Sequence, residues 1–119
     1  MIHLADKIVV VTGGTRGIGA AIAETCAQLG GRVILTGRDD EAGAAIERKI
    51  RAAGGRARFV RGDVTAPTFA DHLMDTVLAD EGRLDVLVNN AGILSRSNAA
   101  ECTDAEWSSV IATNVTAVF

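Results

Sequence analysis

No tyrosine occurs among the 119 residues, and aromatic side chains make up only 3% of them. A core built from this sequence must therefore be aliphatic: alanine, valine, isoleucine and leucine, with glycine where backbones approach. Such a composition suits a parallel α/β sheet and disfavours an aromatic-rich β sandwich. Cysteine is scarce too. Cys26 and Cys102 stand far apart, with no Cys-x-x-Cys and no metal-ligand spacing, so no metal is expected and a reducing compartment fits. No apolar run is long enough to cross a membrane, and Met1 to Lys7 lacks a signal-peptide pattern. The cytoplasm, with no membrane partner, is the expectation. Positive charge is not in excess either: the formal net charge of −3 argues against nucleic-acid binding. Arg48, Lys49, Arg51, Arg56, Arg58 and Arg61 cluster, but acidic residues balance them elsewhere. They read as a solvated helix end and strand edge. The length suits one domain, residues 1–119, burying roughly two thirds of its unfolded surface.

What is present is a glycine turn in a telling place. Thr12-Gly13-Gly14-Thr15-Arg16-Gly17-Ile18-Gly19 follows the apolar run Ile8 to Val11 and opens the helical stripe Ile18, Ile22, Cys26, Leu29. Strand, glycine turn and helix in that order make a phosphate cradle. Bare backbone N–H groups converge there, with a helix's positive dipole end behind them. The expected ligand is the pyrophosphate of a dinucleotide.

The remaining pattern alternates strand and helix. Strands are expected at Lys7–Thr12, Arg32–Thr36, Ala57–Arg61 and Leu84–Asn89. The first helix spans about Arg16 to Leu29 and ends at Gly30-Gly31. Asp39 or Asp40 caps a second, with Ala42, Ile46, Ile50 and Ala53 on its apolar face and Gly54-Gly55 after it. Asp63-Val64-Thr65 reads as a turn. Pro67 suits the first turn of a third helix that carries Phe69, Leu73, Met74 and Val77 and stops at Gly82. Asn90 to Ala100 is a small-residue loop. Thr103 or Asp104 caps a fourth helix with Trp107, Val110, Ile111, Val115 and Val118 on one stripe, a pattern still running at Phe119. The fold expected is a doubly wound parallel sheet of about four strands, in the order 3-2-1-4, with helices on both faces.

On these residues the chain resembles the short-chain dehydrogenase/reductase family, of the ordinary single-domain type. The family's Thr-Gly-x3-Gly-x-Gly is matched from Thr12 to Gly19, and its Asn-Asn-Ala-Gly by Asn89-Asn90-Ala91-Gly92. Its aspartate after the third strand is Asp63, and its asparagine in the fourth helix is Asn114. The stretch from Asp104 to Phe119 looks most like the 3-oxoacyl-carrier-protein reductase branch. The resemblance implies a Rossmann fold and hydride transfer between NADP(H) or NAD(H) and a carbonyl or alcohol. A homo-oligomer is expected of the complete protein.

Site roles follow. Gly13, Gly17 and Gly19 let the backbone approach the pyrophosphate; Thr15 and Arg16 can bond its oxygens, and Ile18 offers an N–H at the helix start. An NAD-selective site wants a carboxylate after the second strand. Gly37 stands there, followed by Arg38. Arg16 and Arg38 suit a 2′-phosphate, so NADP(H) is expected over NAD(H). Asp39 and Asp40 are the contrary sign: they read as caps, but either can reach a ribose. Asp63 can accept from the adenine amino group, with Val64 beside the same ring. Asn89, Asn90, Ala91 and Gly92 place small residues beneath a ring, and the Asn pair can equally tie the sheet to its neighbours.

Asn114 interrupts an apolar stripe. The resemblance implies that it belongs to a catalytic tetrad with a later Ser, Tyr and Lys. These three have no counterparts: Ser95, Ser97, Ser108 and Ser109 come too early, Lys7 and Lys49 lie on the wrong elements, and His3 and His72 read as surface residues. Three readings stay open. The sequence is an incomplete record of a reductase, the favoured one; or a free-standing dinucleotide-binding module; or an interaction module that keeps only the fold. Under the first, the fourth strand is left as an apolar edge and the lone chain self-associates.

Overall fold

The unbroken β-branched run Ile8–Val11 forms the central strand β1, fully buried on both faces. The computed structural model describes residues 2–119. After β1 come α1 (Gly17–Gln28), β2 (Arg32–Gly37), α2 (Asp40–Ala52), β3 (Arg56–Arg61), α3 (Phe69–Glu81), β4 (Val86–Val88) and α4 (Asp104–Asn114), then a short 3₁₀ turn, Thr116–Val118. The strands form one parallel sheet in the order β3-β2-β1-β4, as expected.

Alternate residues of the strands feed two cores. Val9, Val11, Val33 and Leu35 pack with Ala23 and Ala27 of α1 and Ile50 of α2. Ile8, Val10, Ile34 and Val60 pack on the opposite face with Phe69, Leu73 and Val77 of α3. Small alanines on α1 let that helix lie close to the sheet. Cys26 is half-buried beside the first core, and burial pushes its thiol up, so it stays a protonated small hydrophobe.

Four local expectations need correction. Pro67 lies in the turn before α3, not in its first helical turn; the Phe69 N–H closes that turn on the Ala66 carbonyl. Ala53 is the exposed C-cap of α2, and Gly43 takes the inward position instead, because a side chain there would overlap the Phe59 ring. The fourth strand is shorter than Leu84–Asn89. Leu84 packs into the α3 core, and the Asp85 carboxylate accepts the Ile8 N–H at 2.8 Å in place of a strand carbonyl. The fourth helix stops at Asn114, and none of its residues is buried: Trp107 is 65% exposed. Its stripe meets no core among the described residues. The basic cluster is a solvated edge, with Arg56 paired to Asp6, Arg58 to Asp80, Arg61 to Asp40, Arg51 to Glu47 and Lys49 to Glu24.

Candidate functional site

Because all four strands run parallel, their C-terminal ends share one rim. The segments that leave that rim enclose a cleft of about 870 Å³. Open α/β sheets bind ligands at this rim. The glycine turn forms one wall. Gly13 adopts φ +63°, and a Cβ on it would come within 2.9 Å of the Ala91 Cα, so the turn and the segment after β4 touch backbone to backbone. Thr12 ties them. Its Oγ1 accepts the N–H groups of Asn90 and Ala91, each at 3.1 Å, while the Asn90 amide donates to the carbonyls of Thr12 and Gly13 at 3.2 and 3.1 Å.

Helix α1 begins at the cleft without a cap. Its N-cap residue, Arg16, makes no side-chain cap bond, and its first turn holds no acidic residue. Asp39 caps α2, and Thr103 with Glu106 forms a capping box on α4. At α1 the unpaired first-turn N–H groups are left for an anion, and Ile18 and Gly19 line the cleft there.

The cleft also carries charge. Arg16 Nη2 meets Asp39 Oδ2 at 3.1 Å, and both are largely exposed. Asp63 accepts the Thr65 hydroxyl at 2.6 Å and the Thr65 N–H at 2.8 Å. These bonds first, and then the Arg38 charge, hold its carboxyl below the usual range, so it is ionised at neutral pH. At Gly37, the residue before Arg38, a Cβ would sit 2.7 Å from Thr15 Cγ2. The space a carboxylate side chain would need is filled by that methyl.

The cleft gathers Gly13, Thr15, Arg16, Ile18 and Gly19 from the turn, Arg38, Asp63 and Val64 from beyond β2 and β3, and Asn90, Ala91 and Gly92. Gly17, Asn89 and Asn114 stand outside its lining. Asn90, rather than Asn89, ties the sheet end together. Asn114 is exposed, not buried on an apolar stripe: it accepts the Ile93 N–H at 2.8 Å and donates to the Ile93 carbonyl at 2.9 Å, fastening the loop to α4. Sequence reasoning missed Ser109, Ala112 and Thr113, which line the cleft from α4. It phased that helix on Trp107 and Ile111, as though they faced a core. It also missed Thr36. That residue is fully buried at the rim, its Oγ1 without a partner among the described residues.

A sequence profile of the short chain dehydrogenase family matches residues 7–119. The chain belongs to that family. It is 40% identical over 114 residues to a cyclopentanol dehydrogenase of Comamonas sp. (strain NCIMB 9872), covering 96% of this chain and 46% of that protein. Against the 3-oxoacyl-carrier-protein reductase of Escherichia coli (strain K12) it is 39% identical over 117 residues, covering 98% of this chain and 47% of the relative. Among solved structures, a metagenomic short-chain oxidoreductase in complex with NADP superimposes with a TM-score of 0.90 at 45% identity, over 96% of this chain and 52% of that one. The chain thus spans about half the length of these relatives.

Proposed function

We propose that residues 1–119 form the NADP(H)-binding domain of a short-chain oxidoreductase that interconverts a small carbonyl compound and an alcohol. One observation carries this reading: an uncapped helix N-terminus and two arginines share a cleft at the sheet's carboxyl rim. The residues present fit such a cofactor. Gly13, Gly17, Gly19, Thr15 and the Ile18 N–H would hold the pyrophosphate. Arg16 and Arg38 would hold a 2′-phosphate, which a guanidinium can grip with two donors. Ionised Asp63, with Val64, would take the adenine, and Asn90, Ala91 and Gly92 would floor the nicotinamide end. The blocked Gly37 position supports NADP(H) over NAD(H), since no ribose-binding carboxylate stands there. The NADP complex of the structural relative is consistent with this preference.

Bound NADP(H) supplies or accepts hydride. The residues of this chain bind and orient. Asn114 fastens the loop over the cleft through Ile93, and its part in a proton relay is proposed on the family resemblance alone. No tyrosine is present to move the proton, and proton transfer is typically worth about 10²–10⁴-fold in rate. We further assign the protein to the cytoplasm and its complete form to a homo-oligomer.

Calorimetric titration with NADPH, NADH and adenosine 2′,5′-bisphosphate tests the reading. Tighter binding of the two 2′-phosphorylated ligands is expected, and no binding of any of the three refutes it.

A further inference from the structure

Strand β3 ends the sheet, with β2 as its one neighbour among the described residues. The Gly62 N–H bonds the Gly37 carbonyl of β2, so alternation along the strand turns the main-chain groups of Ala57 and Phe59 to the free side. An open row of such groups is a template for another strand. Here the row is covered. The Phe59 N–H donates to Glu47 Oε2 at 2.7 Å, and Arg51 Nε donates to the Ala57 carbonyl at 2.9 Å. Both side chains come from α2, one turn apart, and Arg51 Nη2 lies 3.5 Å from Glu47 Oε1. Gly43, one turn earlier, leaves room for the Phe59 ring, which a Cβ there would overlap. Gly43, Glu47 and Arg51 thus lay one face of α2 along the strand.

From this geometry we infer that Glu47 and Arg51 stand in for a neighbouring strand and keep the free edge of β3 from pairing with a second copy of the chain. A neighbouring strand offers carbonyls to N–H groups and N–H groups to carbonyls. The carboxylate does the first and the guanidinium the second, and each bond is charge-assisted. As a surface ion pair alone, the two residues would add little stability. Their bonds to the main chain are what shut the edge. The charge on the strand acts in the same sense: a second copy of β3 would bring Arg56, Arg58 and Arg61 against the same three arginines.

The test compares the wild-type chain with the double variant Glu47→Ala/Arg51→Ala, which leaves the net charge at −3. Alanine keeps α2 helical. In sedimentation over a concentration series, the double variant should self-associate at about one tenth of the wild-type concentration. In the dilute variant the Phe59 amide should exchange about fivefold faster than in the wild type. As concentration rises, exchange at Ala57 and Phe59 should slow again. The control is Glu24→Ala/Lys49→Ala, which removes the ion pair joining α1 to α2 and should associate as the wild type does. Association unmoved from the wild type, or increased with the Phe59 amide still fast at high concentration, overturns the inference. Should the double variant not fold, Glu47→Ala and Glu47→Gln decide it. Faster Phe59 exchange is expected in the first and much less change in the second, which keeps an acceptor; an unchanged rate in Glu47→Ala overturns the inference equally.

Discussion

The interior of the sheet and its β4 edge are held by different physics. On the β2 side, the strand is buried between β1 and β3, and Val33 and Leu35 on one face and Ile34 on the other are packed out of water. On the β4 side, the strand has three residues, Leu87 is 45% exposed, and α4 buries none of its residues. Polar bonds hold that end instead: Asp85 to Ile8, Asn90 to the Thr12 turn, Asn114 to Ile93, and Glu106 to Thr103 and Ser97. Apolar burial stabilises without direction. Hydrogen bonds add little net stability but fix where groups point. The site needs both, because its glycine turn is anchored on the packed side and closed from the polar side.

Leu35→Ala strikes the packed end and should have the largest effect. Leu35 is wholly buried, so the loss should be about 2–5 kcal/mol, read as a lower urea midpoint with an unchanged slope. Asn90→Ala strikes the polar end. It strips the Thr12 and Gly13 carbonyls of a donor, and about 1–2 kcal/mol should be lost. Amide exchange should quicken around residues 12–14 and 90–93 while β2 stays protected. Thr103→Ala removes the capping box of α4 and should cost about 1 kcal/mol or less, seen as fraying of that helix alone.

Acid sharpens the contrast further. Asp85, bonded first by the Ile8 N–H and then by Arg83, and Glu106, bonded first by the Thr103 N–H and then by Ser97, both titrate below the usual carboxylate range. A carboxylate with a depressed native value contributes its stability above the unfolded value of about 4, and loses it as pH falls through the native one. The β4–α4 end should therefore loosen first on acidification below about pH 4. Exchange at Ile8 and at Thr103 should rise while the β2 amides remain closed. Uniform loosening would contradict the division. The effect should be the smallest of the four, since both carboxylates are exposed to solvent.

Much of the fold was legible along the chain. Ile8–Val11 and Val33–Leu35 have only buried strands open to them, and glycines in the left-handed region at Gly30, Gly54 and Gly82 follow the helices they end. That the glycine turn and the residues just past the strands gather at one cleft was legible for the same reason: each lies next to the carboxyl end of a strand. Asp39 as the cap of α2, and Thr103 with Glu106 on α4, were within reach of spacing rules. The illegible parts depend on what lies opposite. The stripe of Trp107, Ile111 and Val118 has the period of a buried helix face, but period records amphipathicity and not the presence of a partner. Asn114 looked like a buried polar residue until the fold set it against Ile93.

Local patterning was thus enough for the four strands, the parallel sheet and the place of the glycine turn, because these follow from side-chain period and from turns a few residues long. The folded chain was needed for the rest. Arg16 and Asp39 form a hydrogen-bonded ion pair, Thr15 closes the space over Gly37, and Asn90 rather than Asn89 locks the turn. Each of these is a meeting of groups from separate strand–helix units. The distances that decide such meetings come from how the units stack on the sheet, and no spacing along the backbone records them.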